Sequence, residues 1–268
     1  MQNVFYASAN GYRGFRSYFP EVFREEDFLR LIYLKGGPGT GKSSFMKRLA
    51  DDLAKDGVTA EFIRCSSDPD SLDGILLTGK NGKVGVLDAT LPHAMEAKLP
   101  GVSSELVDLA SAIDTGRIRE KRDRLTALAK EKAASYKNGY EYLAFSENFD
   151  RKIKAEIESV LDVPKVTRHL KSLFFKGGDA AVPRNVLLSC FGKYGYQTLP
   201  CEGEVTVLSG PLALPCILVS MLLRIAEANG TVTEIYRSPL AHDLVEGFSA
   251  GGRLYLAKEE DSSDLLPK

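Results

Sequence analysis

The chain is poor in the residues that build metal centres and disulfide frameworks. Its 268 residues include only four cysteines and three histidines. Cys65, Cys190, Cys201 and Cys216 are scattered without a CxxC pair, and His93, His169 and His242 lie far apart, so no zinc site of ordinary ligand spacing is expected. No secretory signal opens the sequence, and a cytoplasmic location with reduced thiols fits best. An excess of charge of either sign is also missing. A formal net charge of -1 removes the electrostatic reason to expect nucleic acid or an anionic membrane as a partner. One charge-free run, Val205 to Leu223, meets the crude length test for a membrane helix. Gly210, Pro211 and Pro215 interrupt it, so it reads as a buried strand, a turn and a buried helix, with no membrane partner. What remains, 44% hydrophobic and 26% charged, can bury one large core or two smaller ones.

The most informative segment that is present is LIYLKGGPGTGKSSFMKRL, from Leu31 to Leu49. Gly36 to Ser43 has the spacing G-x-x-x-x-G-K-S, fed by an apolar strand and followed by an amphipathic helix. Gly37, Pro38, Gly39, Thr40, Gly41, Lys42, Ser43 and Ser44 are therefore the candidate phosphate-binding residues. Backbone N–H groups at a helix N-terminus, together with the positive end of its macrodipole, attract a polyphosphate. Lys42 would bridge the β and γ phosphates and the Ser43 hydroxyl would hold Mg²⁺.

Around this loop the order is strand Val4 to Ser8, strand Arg30 to Leu34, the loop, helix Ser43 to Lys55, strand Thr59 to Cys65, an acidic loop from Ser66 to Gly74, and strand Val84 to Asp88. Alternation of this kind predicts an α/β fold of P-loop NTPase type, a parallel sheet with helices on both faces. Asp88 ends an apolar strand in the Walker B manner and is the candidate metal carboxylate, with Ser43 the other metal ligand. Ala89 and Thr90 stand where many ATP hydrolases place a catalytic glutamate, so the base is not evident. The acidic loop SSDPDSLDG lacks the spacing of a calcium loop. Asp68 is the candidate there for orienting water or an acceptor hydroxyl, against a plain role in helix capping or turns. His93 is a candidate γ-phosphate sensor or proton carrier, and Arg13 and Arg16 could clamp phosphate. Lys42, Asp88, Asp68 and His93 form the catalytic set.

The chain also repeats itself. Ile32–Ile75 laid on Val205–Phe248, a shift of 173, matches Gly37 with Gly210, Pro38 with Pro211, Glu61 with Glu234, Arg64 with Arg237 and Gly74 with Gly247, eight identities in all. Ser8, Gly11 and Gly14 correspond to Ser189, Gly192 and Gly195 at a shift of 181. The second copy has Leu212, Leu214, Pro215 and Cys216 in place of Gly39, Gly41, Lys42 and Ser43, and is expected to bind no nucleotide. Between the copies, Ser103 to Phe175 carries apolar residues at helical spacing among many charges, which predicts an inserted helical hairpin or small bundle. The expected organisation is a phosphate-loop half at 1–102, the helical insertion at 103–180, and a degenerate half at 181–268.

VFYASANGYRGF, KGGPGTGKSSFMK, CSSDPDSLDG and LDATLPH together resemble an uncharacterised family of bacterial P-loop ATPase-like proteins with two related nucleotide-binding halves. The resemblance covers the first hundred residues strongly and the last third weakly. It implies cytoplasmic NTP binding, with Lys42, Ser43 and Asp88 on the phosphate and metal positions, and it names no substrate. Mg²⁺-dependent binding and hydrolysis of ATP is the first expectation. No NKxD-type guanine-reading motif is present, which makes ATP the default and leaves GTP open. A small-molecule kinase is the alternative, as is a nucleotide-gated interaction protein without turnover, so a small-molecule acceptor or a protein partner remains open.

Overall fold

The computed structural model describes residues 3–174, 177 and 182–260. The N-terminal part runs β1 (Val4–Tyr6), a hairpin of β2 (Ser8–Gly11) and β3 (Gly14–Ser17), a short α1 (Phe19–Val22), β4 (Arg30–Lys35), α2 (Lys42–Ala54), β5 (Thr59–Arg64), β6 (Leu72–Gly79), β7 (Gly82–Asp88) and β8 (Ser104–Asp108). Three helices follow, α3 (Thr115–Arg119), α4 (Arg122–Val160) and α5 (Val163–Leu173). The C-terminal part is β9 (Arg184–Val186), a hairpin of β10 (Ser189–Gly192) and β11 (Gly195–Thr198), β12 (Glu204–Gly210), α6 (Leu214–Glu227), β13 (Val232–Arg237), β14 (Val245–Ala250) and β15 (Arg253–Glu259).

The expected single parallel sheet with helices on both faces is not what forms. The first sheet, ordered β1-β5-β6-β7-β4-β8, is mixed: β6 runs antiparallel to both β5 and β7. The connections dictate this. Only residues 65–71 separate β5 from β6, and Lys80 and Asn81 alone separate β6 from β7, whereas a parallel pair needs a crossover of a dozen or more residues. The start of β6 falls in the segment 66–74 expected as loop, and of this hairpin only the second arm, β7, is legible as a strand in the sequence. The faces differ from expectation too. Side chains alternate along each strand, so Leu34, Ile75, Leu77 and Val86 pack under Met46 and Ala50 of α2. The opposite set, Tyr33, Ile63, Leu76 and Leu87, joins Phe19 of the short α1 and Phe23, and meets Val186, Tyr236 and Leu254 of the second sheet instead of a layer of helices.

That second sheet, ordered β12-β15-β14-β13-β9, has the strand order and senses of β4-β7-β6-β5-β1. The two parts meet across a local two-fold. Tyr6 and Leu187, 181 residues apart, exchange a pair of backbone hydrogen bonds, each 2.9 Å, in an antiparallel bridge. Each hairpin then reaches across to the other part: the Tyr12 amide donates to Leu240 O (2.9 Å) and the Lys193 amide to Ser67 O (3.1 Å). A Cβ on Gly11 or Gly192 would collide with carbonyl oxygens of Pro239 and Leu240 or of Ser66, which is why both copies of the hairpin have glycine there. Near the axis Arg184 pairs with the matched glutamates Glu61 and Glu234, and its guanidinium lies 4.8 Å from the Phe5 ring centroid. Removing one member of such a buried group leaves a charge without its partner, at a cost of about 3–5 kcal/mol.

The insertion is not a hairpin or bundle. Ser104–Asp108 adds a sixth strand beside β4, inside the segment assigned to the insertion. The rest is dominated by α4, whose 39 residues include none that is buried. At 1.5 Å per residue α4 is about 58 Å long. The following α5 packs Leu170 onto the apolar face of α6 (Val219, Leu222, Leu223 and Ala226), closing the far side of the second sheet. The 180/181 boundary and residues 261–268 lie outside the described residues. Among those described, no helix is long and apolar enough to cross a membrane. Val205–Leu223 spans β12, a turn and α6.

Candidate functional site

The carboxyl end of β4 opens into the loop Gly36–Gly41, and α2 starts at Lys42. Gly41 caps the helix in the left-handed region (φ 88°), and Gly39 also has positive φ (80°). A side chain at either would cost about 1–2 kcal/mol in backbone strain. The amides of the first turn of α2 have no acceptor within the helix, so the N-terminus presents donors to the space beside the loop. Lys42 crosses that space. Its Nζ donates to Gly36 O (2.5 Å) and Gly37 O (3.1 Å) and lies 3.4 Å from Asp88 Oδ2. Both side chains are largely buried, which shields the pair from solvent screening.

Asp88 arrives at the end of β7, next to Leu34 of β4 in the parallel register. Its Oδ1 accepts from the Thr90 amide (2.9 Å), while the Thr90 hydroxyl donates to Gly36 O (3.0 Å). Thr90 thus ties the loop to the strand end, a role its sequence position did not disclose. Ser43 Oγ accepts from the Leu72 amide (3.0 Å), which fixes the helix start against β6. One lone pair on that oxygen remains for a cation.

These groups line one cavity of about 850 Å³. Gly36, Pro38, Gly39, Thr40, Gly41, Lys42, Ser43 and Ser44 form one part of its wall, and Asp68, Asp73, Asp88 and His93 another. Gly37, the remaining loop residue, takes part through its carbonyl, which accepts from Lys42 and from the Thr40 hydroxyl (2.9 Å). The catalytic candidates Lys42, Asp88, Asp68 and His93 are therefore brought together, although not equally. Asp68 sits at the rim, half exposed, held by Lys193 Nζ of the second part at 2.5 Å, and Lys193 is shared with Asp70 at 2.9 Å. Hydrogen bonds from Tyr194 and Lys193 hold the Asp70 carboxyl below its ordinary range. His93 is buried, stacked on Phe19 at 4.6 Å, and its Nε2 lies 2.9 Å from Oδ2 of the buried Asp73 without the in-line geometry of a hydrogen bond. Its Nδ1 has no hydrogen-bond partner. Burial and the charge of Asp73 push the neighbouring Cys65 thiol up to about 12, so it is not a ready nucleophile.

Asp73 is the acid that sequence reasoning passed over. One signal was available, since its matched position in the second part, Glu246, is also acidic. The contribution of α4 carried no such signal: Lys132, Tyr136 and Tyr140 line the cavity, with Tyr136 OH on Ser67 Oγ (3.2 Å) and Tyr140 OH on Asn10 Oδ1 (2.8 Å). Arg13 and Arg16 are not part of it. Arg13 pairs with Glu147 of α4, and both arginines line a separate cavity with Arg237 and His242. Among the described residues no group of three or more His, Cys, Asp or Glu is placed to hold a metal ion. A magnesium ion bound by Ser43 and Asp88 would thus take its other ligands from phosphate and water, the usual habit of that cation. Comparison of the chain with family models, with curated proteins and with solved structures finds no match.

Proposed function

We propose that the chain binds a magnesium nucleoside triphosphate, ATP by default, at the loop 36–44 and releases its terminal phosphate. The observation that supports this most directly is the convergence, in one cavity, of a helix N-terminus, Lys42 and the Asp88 carboxylate, the donor, cation and metal ligand that a triphosphate needs. The first-turn amides and Lys42 hold the phosphates. Ser43 and Asp88 would hold Mg²⁺, and the chemistry it would supply there is neutralisation of the triphosphate charge. His93, beside the Asp73 carboxylate, takes the role of general base that the residues after Asp88 do not fill.

A second reading, phosphoryl transfer to a small acceptor, is favoured by the extent of the cavity beyond the loop toward Tyr136 and Tyr140. One experiment separates the two. Calorimetry and phosphate release are measured on the purified chain with ATP, with and without Mg²⁺ and with and without a metabolite pool. One nucleotide per chain and release without acceptor support hydrolysis. Acceptor-dependent ADP formation supports a kinase, and binding with neither supports a nucleotide-gated partner protein. Asp88→Asn is expected to weaken Mg²⁺-dependent binding more than metal-free binding, and an equal effect in both would make Asp88 structural.

A further inference from the structure

The second part of the chain keeps a cavity, of about 530 Å³, at the place that matches the phosphate loop of the first. Its chemistry is inverted. Pro215 stands for Lys42 and Cys216 for Ser43, at the shift of 173. In the hairpin register Gly74 faces Leu87 and Gly247 faces Leu256, so Ala257 takes the place of Asp88. Proline removes a backbone donor and no lysine remains, so a phosphate has nothing to hold it. One feature of the backbone path is kept: Leu212 has the positive φ (53°) of its counterpart Gly39, while Leu214, in place of the left-handed Gly41, lies inside α6. The loop still shapes a cavity, but not one for an anion.

What lines it instead is apolar surface with carboxylates set into it. Glu246, Glu259 and, from α4, Asp150 are in the wall, and Lys258 is the one cationic side chain there among the described residues. Glu246 Oε1 accepts from Tyr196 OH (2.9 Å). Cys216 lines the same cavity as both acids. Burial pushes the Glu246 carboxyl upward, and burial with the charges of Glu246 and Glu259 pushes the Cys216 thiol up to about 12. The described residues offer no set of three or more metal-ligating side chains, so the acids do not constitute a metal centre. The volume falls within the range of small-molecule sites, which pair apolar walls with a few placed polar groups.

We propose that this cavity binds a small organic amine, its ammonium group against Glu246 and Glu259 and its hydrocarbon against Leu188, Leu212, Leu240 and Ala257. The C-terminal part is then a ligand-binding partner of the phosphate-loop part, and α4, which lines both cavities, is the element they share. The proposal does not depend on the nucleotide reading. Isothermal titration of the whole chain with n-butylamine, benzylamine and 1,4-diaminobutane tests it, with butan-1-ol, butyrate and inorganic phosphate as controls. At least one amine is expected to saturate at one per chain, with the controls binding at least about tenfold more weakly. Glu246→Gln is expected to lower amine affinity by a similar factor, whereas Lys42→Ala leaves it unchanged. Glu259→Gln, at an exposed strand end where folding is not at risk, serves the same purpose if the Glu246 variant is unstable. Failure of all three amines to saturate, equal affinity for amine and alcohol, or unchanged affinity in the folded variants overturns the proposal.

Discussion

Lys42→Ala offers the sharpest test of the phosphate site, because its effects on binding and on stability separate. In the folded chain Lys42 makes two hydrogen bonds to loop carbonyls and an ion pair with Asp88. Hydrogen bonds that involve a charged group contribute about 1.5–3 kcal/mol each, and two such bonds to β and γ phosphate oxygens give a gross contribution of about 3–6 kcal/mol. The lysine must first give up two such bonds, to Gly36 O and Gly37 O, so the hydrogen-bond count is level and the net gain is the excess strength of charged phosphate oxygens over carbonyls as acceptors, about 1–2 kcal/mol. Truncation is therefore expected to weaken ATP affinity by roughly five- to thirtyfold. The fold is expected to survive, since the side chain crosses a cavity and fills no core cluster. Calorimetric titration with Mg·ATP, alongside circular dichroism and urea unfolding, reads both quantities. A folded variant that binds ATP as tightly as the wild type would refute the reasoning.

Three further outcomes follow from particular residues. Leu222 of α6 is fully buried, so Leu222→Asp loses a core side chain, about 3–5 kcal/mol for leucine truncation, and adds an unpaired buried charge. Since whole domains have about 5–15 kcal/mol, the variant is expected to be unfolded or nearly so in thermal melts, and wild-type stability would show that α6 is not packed as described. Burial raises the Glu246 carboxyl in the folded chain, so its contribution is nil at low pH, where folded and unfolded chains both hold the proton, and becomes destabilising as pH rises from about 4.3 toward the folded value. Glu246→Gln is thus expected to gain stability relative to wild type across that interval in urea melts at stepped pH, and parallel pH curves would contradict it. Leu212, half exposed with φ 53°, carries strain of about 1–2 kcal/mol that glycine relieves, against about 0.5–1 kcal/mol of added chain entropy. Leu212→Gly should therefore match or slightly exceed wild type in unfolding midpoint, and a clear loss would mean that the leucine side chain is needed for packing.

The sequence by itself determined the loop between β4 and α2, because its geometry is local: glycines that permit left-handed backbone, a lysine and a serine at the start of a helix are contiguous and can be read without knowing what surrounds them. It also determined the match between the two parts, since the turn glycines and strand-end residues recur at two nearby shifts, 173 and 181. It did not determine the direction of the strands. Leu72–Gly79 begins within a run of acids and turn residues, and periodicity carries no information on which way a strand runs; only the short connections on either side of it force the antiparallel hairpin. Nor did it determine what covers the first sheet. The residues Tyr33, Ile63 and Leu87 demand an apolar partner of any kind, and whether helices or a second sheet supply it is settled by how the halves dock about Tyr6 and Leu187. The same docking decides the fate of Asp68, which local sequence left free and Lys193 of the other half engages. It is α4, finally, that shows the limit of reading along a chain: its charged, unburied surface looks like solvent-exposed helix in sequence, and only its path past both cavities makes Tyr136 and Tyr140 neighbours of one and Asp150 a neighbour of the other.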